Sequence, residues 1–227
     1  TNPAHSLPAL APCWSWFLAI SRQRPLMQCG FALVGGVEIE NRWAVSLVRA
    51  MGCALRRGAP RPCEAQVHLT GLGSGTHERG VDYFASPHDA LLLKERLWAA
   101  AGGETAAEAL AQDKAQLLRD DPLTLRVKIV QRQRSRALAN LTEALQALLF
   151  SASAGDVALS LARFEGLALA QQVEYARDAH LLLLAHGAAV VNALFVRPCA
   201  AVCELFPRRY FPRGFFQLLA LDAGALA

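Results

Sequence analysis

The stretch from Leu181 to Asn192, L-L-L-L-A-H-G-A-A-V-V-N, decides how the chain folds. Its first five residues, Leu181–Ala185, form a continuous apolar run, which is typical of a strand buried on both faces of a parallel sheet. The small residues from His186 to Ala189 then predict a turn, and a short helix follows. Gly187 allows the tight backbone bend or close ligand approach that such a turn needs. The stretch therefore predicts a strand, turn and helix of an α/β fold.

The flanking segments repeat this alternation from Pro122 to the C-terminus. Further strands are predicted at Leu125–Val130, Val157–Leu161 and Ala200–Leu205, and helices at 141–149, 169–176 and Phe215–Leu221. Alternation at this spacing indicates right-handed βαβ crossovers and a parallel sheet. We therefore expect a Rossmann-like α/β domain over residues 122–227.

Residues 1–121 do not show this regular alternation of strands and helices. Helices are predicted at His88–Ala101 and Thr105–Arg119, and a strand at Phe31–Val37, but no complete βαβ pattern is visible. We therefore predict an incomplete or divergent N-terminal region.

The composition is that of a globular protein, with 53% hydrophobic and 19% charged residues. The net charge of +4 does not by itself indicate nucleic acid, and we predict no nucleic-acid partner. The apolar stretch Leu7–Ile20 is shorter than the roughly 20 helical residues that cross a bilayer, so we predict no membrane span in this chain. The chain starts at Thr1 rather than Met, which is typical of a fragment or a processed product.

The six cysteines include no C-x-x-C pair. Cys199 and Cys203 have no second ligand pair at metal spacing, so we predict no metal site. We expect the cysteines to be buried or free thiols, since Cys is among the most often buried residue types. The alternative is disulfides among Cys13, Cys29, Cys53 and Cys63 in a secretory compartment, whose pairing the spacing does not reveal.

Arginines follow the first strand of the predicted sheet, in Q-R-Q-R-S-R from Gln131 to Arg136. Ligands of parallel α/β sheets bind beyond the carboxyl ends of the strands. Guanidinium groups present planar forks of donors that suit phosphate oxygens, so Arg132 and Arg136 are candidates to clamp a diphosphate. The alternative is a solvated basic loop.

Two further strand ends carry polar candidates. His186 is placed to donate to a phosphate or sugar oxygen, and the amides after Gly187, starting at Ala188, would face an anion. The alternative is a structural turn with a capping histidine. Asn192 would either contact ligand or tie down the loop. Glu204 would accept both hydroxyls of a ribose, or would pair at the surface with Arg208 or Arg209.

Together these strand-end motifs resemble glycosyltransferase family 61. The resemblance rests on L-A-H-G-A-A-V-V-N-A-L-F-V-R-P-C-A-A-V-C-E-L-F-P over Leu184–Pro207, on K-I-V-Q-R-Q-R-S-R-A-L-A-N from Lys128, and on F-E-G-L-A-L-A-Q-Q-V from Phe164. It extends from about Leu125 to Gly224. Cys199 departs from the pattern, because a small turn residue, often Gly, is expected there.

The resemblance implies a GT-B glycosyltransferase, with two Rossmann-like domains facing a cleft and the nucleotide sugar held by the C-terminal one. It implies transfer of a hexose or pentose, with inversion, from a UDP-sugar to a glycan or glycoprotein in the Golgi or endoplasmic reticulum lumen, without a cofactor. Residues 1–121 would then be the acceptor side. The implied diphosphate ligands are Arg132, Arg136, His186, Gly187, Ala188 and Asn192, with His186 stabilising the leaving group and Glu204 facing the ribose.

Three points stay open at this level. The catalytic base is not identified, and the candidates are His68, His77, Asp82, His88 and Asp89. A non-catalytic remnant that binds a nucleotide or sugar is the main alternative. A Rossmann-type oxidoreductase is a further one, although it predicts G-x-G-x-x-G after the first strand, where this sequence has arginines.

Overall fold

A computed structural model of the chain describes residues 3–23, 28–33, 42–57, 84, 86–103, 105–118, 124–133, 137–141, 143, 146–147, 157–210 and 216–226. The described strands are β1 (Gly30–Leu33), β2 (Ala54–Arg57), β3 (Leu125–Val130), β4 (Val157–Ala162), β5 (Leu181–Ala185) and β6 (Ala201–Leu205). The described helices are α1 (Pro3–Ser21), α2 (Arg42–Ala50), α3 (Pro87–Ala100), α4 (Ala106–Leu118), α5 (Leu169–Arg177) and α6 (Gln217–Asp222), with a 3₁₀ helix at Ala188–Phe195.

The main sheet has four parallel strands in the order β4-β3-β5-β6. The prediction of a parallel α/β sheet is confirmed, and the arrangement is consistent with a Rossmann-like fold. The first strand of the sheet, β3, lies between the second and the third, so the direction of winding reverses between β3 and β5. Such a reversal opens a crevice at the carboxyl ends of the two strands.

The apolar run predicted as a doubly covered strand is β5. Leu182 and Leu184 are fully buried on one face, whereas Leu181 and Leu183 on the other face are only half-buried, so the predicted burial on both faces is incomplete. The predicted strands at 125–130, 157–161 and 200–205 are confirmed to within a residue at each end. The predicted helix over 141–149 lies mostly outside the described residues.

The N-terminal region differs from its prediction. Strands β1 and β2 pair in parallel with α2 between them, which is a βαβ unit where no complete pattern was expected. Each strand has only four residues and β2 ends in two arginines, so the apolar pattern is too short to see in the sequence. A disulfide joins Cys29 to Cys53, the residues directly before the two strands, and the Ala54 amide donates to the Cys29 carbonyl at 2.9 Å.

The helices before β3 pack onto the main sheet's layer of helices. α3 contacts α5, α6 and the 3₁₀ helix, and α1 also contacts the 3₁₀ helix. One apolar core consequently contains residues from both ends of the chain, among them Trp14, Trp43, Trp98, Phe195 and Leu219. The predicted helices at 88–101 and 105–119 are confirmed as α3 and α4.

Polar contacts reinforce this packing. The Trp98 Nε1 group donates to the Phe195 carbonyl at 2.9 Å. The Lys94 ammonium, buried between α3 and α6, donates to the Ala223 carbonyl at 2.6 Å, and its burial lowers the pKa of Lys94 to about 8. The apolar stretch at the start of the chain forms α1, and none of the helices in the described ranges is long and apolar enough to cross a membrane.

The amino end of the main sheet carries a charged network. Arg126 and Lys128 of β3 both form ion pairs with Asp178 at 2.9 Å, and Asp113 of α4 pairs with Arg197 at 3.1 Å. These two β3 cations therefore form their ion pairs away from the carboxyl edge, where the arginines that follow Val130 begin.

Candidate functional site

A cavity of about 580 Å³ lies where β3 and β5 end, at the reversal of the sheet. Its walls come from the loop after β3, the turn after β4, the start of α5, the 3₁₀ helix and, from the N-terminal unit, Trp43 of α2. The lining residues are Trp43, Val130, Gln131, Arg132, Phe164, Glu165, Gly166, Leu167, Ala168, Gln171, Gln172, Ala188, Ala189 and Asn192. The cavity thus occupies the place that the strand-end rule selects.

Arg132 lines this cavity on the loop after β3, and the side chain of the preceding residue, Gln131, stabilises that loop by hydrogen bonds. The Gln131 Oε1 atom accepts from the Arg132 amide at 3.0 Å and the Leu138 amide at 2.8 Å, and Gln131 Nε2 donates to the Leu138 carbonyl at 3.0 Å. The Arg132 guanidinium has no acidic partner in the part of the chain that the structure describes. A guanidinium without an ion-pair partner in a concave site is available to an anion, and Glu165 is the acidic residue that lines the same cavity. Arg136, the predicted second arginine, lies outside the described residues.

The 3₁₀ helix forms another part of the lining and begins directly after Gly187. Gly187 has φ 143° and ψ −160°, a backbone region restricted essentially to glycine, so the predicted special turn is present. Ala188 and Ala189 line the cavity at the first turn, where helical N–H groups have no partner within the helix. Such groups are suited to an anion.

Asn192 reaches the cavity one turn later and is 1% exposed. Its Nδ2 group donates to the Ala189 carbonyl at 2.8 Å, which ties down the first turn of the 3₁₀ helix. Its Oδ1 atom is buried and accepts no hydrogen bond from any described residue. A buried acceptor without a partner costs stability, so this atom is a candidate to receive a donor from a ligand.

His186 and Glu204 form a buried pair at the same edge of the sheet. The His186 Nδ1 and Glu204 Oε1 atoms are 2.5 Å apart, and the two side chains are 6% and 15% exposed. The pairing register explains the contact, because Glu204 lies opposite Leu184 and His186 follows one residue after the end of β5. Burial raises the pKa of Glu204 to about 7.

Three aromatic rings surround the imidazole. Ring centroids of Phe206, Tyr210 and Phe216 lie 5.1, 5.3 and 5.9 Å from that of His186. The rings and the carboxyl group together fix the plane of the imidazole. The predicted surface ion pair of Glu204 with Arg208 or Arg209 is not among the ion pairs of the described residues, and its Oε1 atom contacts His186 instead.

The predicted site residues thus fall into two adjoining groups. Arg132, Ala188 and Asn192 line one cavity, whereas His186 and Glu204 contact each other and are not among the described residues that line it. Gly187 connects the groups in the chain. Both groups lie at the carboxyl edge of the sheet.

Sequence reasoning missed several cavity residues. Glu165 lies in the turn after β4, where the strand-end rule would have found it. Its Oε1 atom accepts a hydrogen bond from the Gln133 amide at 3.2 Å. The Gln172 Nε2 group donates to the Leu167 carbonyl at 3.1 Å, and this hydrogen bond stabilises the turn between β4 and α5. No sequence pattern indicated Trp43, because it lies on α2 of the N-terminal βαβ unit, which the sequence analysis did not predict.

Within the described ranges, no group of three or more His, Cys, Asp or Glu side chains is arranged to hold a metal ion. Of the five candidate bases, His68, His77 and Asp82 lie outside these ranges. His88 is exposed at the start of α3, and Asp89 is buried in its first turn.

A sequence model of a known protein family matches this chain. The sequence model of the family described as Glycosyltransferase 61 matches residues 64–203, which is more than half of the chain. The matched range includes Arg132, Arg136, His186 and Asn192, and it ends one residue before Glu204. No curated protein matches the sequence significantly.

Proposed function

The chain belongs to glycosyltransferase family 61, and we propose that it moves a hexose or pentose from a UDP-sugar to a hydroxyl of a glycan or glycoprotein, with inversion. Family membership supplies the sugar donor and acceptor in general terms. The nucleotide, the acceptor and the stereochemistry are our proposal. We also propose a GT-B arrangement in which the described sheet belongs to the donor-binding side.

The observation that carries this proposal is the cavity at the reversal of the sheet. It combines the Arg132 guanidinium, for which the described residues supply no acidic partner, with the first turn of the 3₁₀ helix in the same lining. Two kinds of donor lining one cavity suit the two phosphates of a nucleoside diphosphate. Trp43 and Phe164 add aromatic surface for the remainder of the donor.

The reaction that we propose is a single displacement. An acceptor oxygen forms a bond to the anomeric carbon while the bond from that carbon to the diphosphate oxygen breaks, and the nucleoside diphosphate leaves with the electron pair. The acceptor proton passes to a base, which we leave unassigned among the five candidates. Arg132 and the helix amides would stabilise the charge on the leaving phosphate, because fixed donors need no reorganisation during the reaction. The same role for His186 is a separate part of the proposal, because His186 does not line the described cavity and its ring contacts Glu204 and three aromatic side chains.

Glu204 has a defined part in this scheme. Its contact with Nδ1 holds the imidazole in one orientation, as a carboxylate commonly does for a functional histidine. The ribose contact predicted for Glu204 stays a proposal.

The disulfide supports a secretory location. Disulfides persist in oxidising compartments and are rare in the cytosol, so Cys29–Cys53 fits the Golgi or endoplasmic reticulum lumen. No cofactor enters the scheme that we propose.

A panel of nucleotide sugars tests the proposal. We expect the protein to release nucleoside diphosphate with at least one of them, and Arg132→Ala to weaken nucleotide binding about tenfold to hundredfold, since a charge-assisted pair contributes about 1.5–3 kcal/mol. His186→Ala should lower the turnover. Arg163→Ala is the matched control, because Arg163 is exposed and does not line the cavity.

The same assay separates the alternatives. Binding without turnover would indicate the non-catalytic remnant. Unchanged binding in both Arg132→Ala and His186→Ala would remove this site from the proposal.

A further inference from the structure

We propose that Asn192 recognises a hydrogen-bond donor of the nucleotide sugar, an O–H or N–H group, and does not bind its phosphates. This inference rests on the proposed function and defines one position within its cavity. The sequence left the role of Asn192 open between ligand contact and support of the loop, and the resemblance placed it at the diphosphate.

The chemistry of the amide supports the change of role. A phosphate oxygen needs a donor, and the donor of this side chain, Nδ2, already bonds to the Ala189 carbonyl at 2.8 Å. The group that remains is the Oδ1 acceptor, which has no hydrogen bond from the described residues. Exchanging the two amide atoms would set Oδ1 against the Ala189 carbonyl, so the contact with Ala189 fixes this orientation.

The position of Asn192 supports it further. Asn192 lines the cavity on the 3₁₀ helix, and it is buried rather than free to turn into solvent. The groups proposed to bind phosphate are other residues of the same lining, namely Arg132 and the first residues of the 3₁₀ helix, one of which, Ala189, accepts the hydrogen bond from Asn192. A donor substrate in the cavity would therefore meet these donors and, one turn further along the 3₁₀ helix, an acceptor that only a hydroxyl or N–H group can satisfy.

Such an acceptor would contribute to specificity. A site built to accept a hydrogen bond rejects an analogue that lacks the donor, because the buried acceptor is then left unpaired. Two parts of a nucleotide sugar carry suitable groups, namely the nucleoside and the transferred sugar. The test has to distinguish these two sources.

The test measures the affinity of the wild-type protein and of Asn192→Leu by calorimetry for three probes: inorganic pyrophosphate, UDP, and the UDP-sugar that binds best. Leucine is close to asparagine in size and has no acceptor. We expect Asn192→Leu to weaken the UDP-sugar about tenfold and to leave pyrophosphate unchanged within twofold. If UDP is weakened as well, the recognised group is in the nucleoside; if UDP is unaffected, the group is in the sugar.

Two further variants separate binding from folding. Asn192→Ala removes the same acceptor with less bulk, and it replaces the leucine variant if that variant does not unfold cooperatively. Lys94→Met removes another buried hydrogen bond, away from the cavity lining, and should lower the melting temperature without changing any of the three affinities.

The outcomes are distinct. Equal weakening of all three probes, or no weakening of any, would overturn this inference while the proposed function stands. A wild-type protein that binds pyrophosphate but no nucleotide sugar would overturn the proposed function and this inference with it.

Discussion

Glu204 gives the protein a defined pH dependence. Burial raises the pKa of Glu204 from its ordinary 4.5 to about 7, so between these values the folded protein keeps a proton that the unfolded chain releases. The contribution of Glu204 to stability is therefore present below about pH 4.5 and is lost as the pH rises towards 7.

Glu204→Gln removes this titration. We expect the free energy of unfolding, measured in urea at several pH values between 4.5 and 8, to fall less steeply with pH in Glu204→Gln than in the wild-type protein. Glu174→Gln, at an exposed position on α5, should follow the wild-type curve. Parallel curves for Glu204→Gln and the wild type would contradict the assignment.

Cys199 occupies a backbone conformation that favours glycine. Its φ is 62°, in the left-handed region that costs a residue with a side chain roughly 1–2 kcal/mol. Replacing Cys199 by glycine would remove this cost, but glycine loses more conformational entropy on folding, which reduces the gain in stability. We expect Cys199→Gly to stabilise the fold by about 0.5–1 kcal/mol, seen as a higher urea midpoint. Cys203→Gly, in the interior of β6, should have the opposite effect.

At the scale of elements, the disulfide joins the two strands of the N-terminal βαβ unit. The bond closes a loop with a sequence separation of 24 residues, for which chain entropy gives about 3 kcal/mol. We expect the double variant Cys29→Ser, Cys53→Ser to melt at a lower temperature than the wild type. Reductant should lower the melting temperature of the wild type and leave that of the double variant unchanged. Cys13→Ser controls for loss of a free thiol.

The sequence predicted the elements that have strong local patterns. The apolar run of β5 and the apolar spacing of α5 placed them correctly, because each pattern follows directly from burial on a sheet or a helix face. Strands β1 and β2 were not predicted as a pair, because pairing between short strands depends on contacts far apart in the chain. The disulfide that supports the pair depends on the same contacts.

The candidate site was predictable in the same uneven way. The strand-end rule located Arg132 and the turn at Gly187, since both follow directly from strand positions. The hydrogen bond between His186 and Glu204 depends on the register of β5 against β6, which no local pattern specifies. The orientation of the Asn192 amide depends on a single carbonyl group.

At the scale of the whole molecule, residues on both sides of position 122 share one core. Trp14, Leu47 and Trp98 belong to the same apolar cluster as Val173, Leu182 and Phe195. The boundary that we predicted at 122 stays a prediction, and it divides this cluster.

A shortened chain of residues 122–227 tests the boundary. Without the N-terminal helices, the apolar face of α5 and the 3₁₀ helix loses its cover, at about 25 cal/mol for each Å² that becomes exposed. We expect this chain to show no cooperative thermal unfolding by circular dichroism, in contrast to the full chain. A sharp transition would show that the C-terminal part is an independent domain.

The position of Trp43 has a practical consequence. Of the four tryptophans, Trp14 and Trp98 are buried in the core, Trp16 is partly exposed on α1, and Trp43 alone among these described residues lines the cavity. A bound molecule would change the surroundings of that one indole and leave the other three as they were. Quenching of intrinsic fluorescence, compared with a Trp43→Phe variant, would therefore report occupancy of the cavity without any added label.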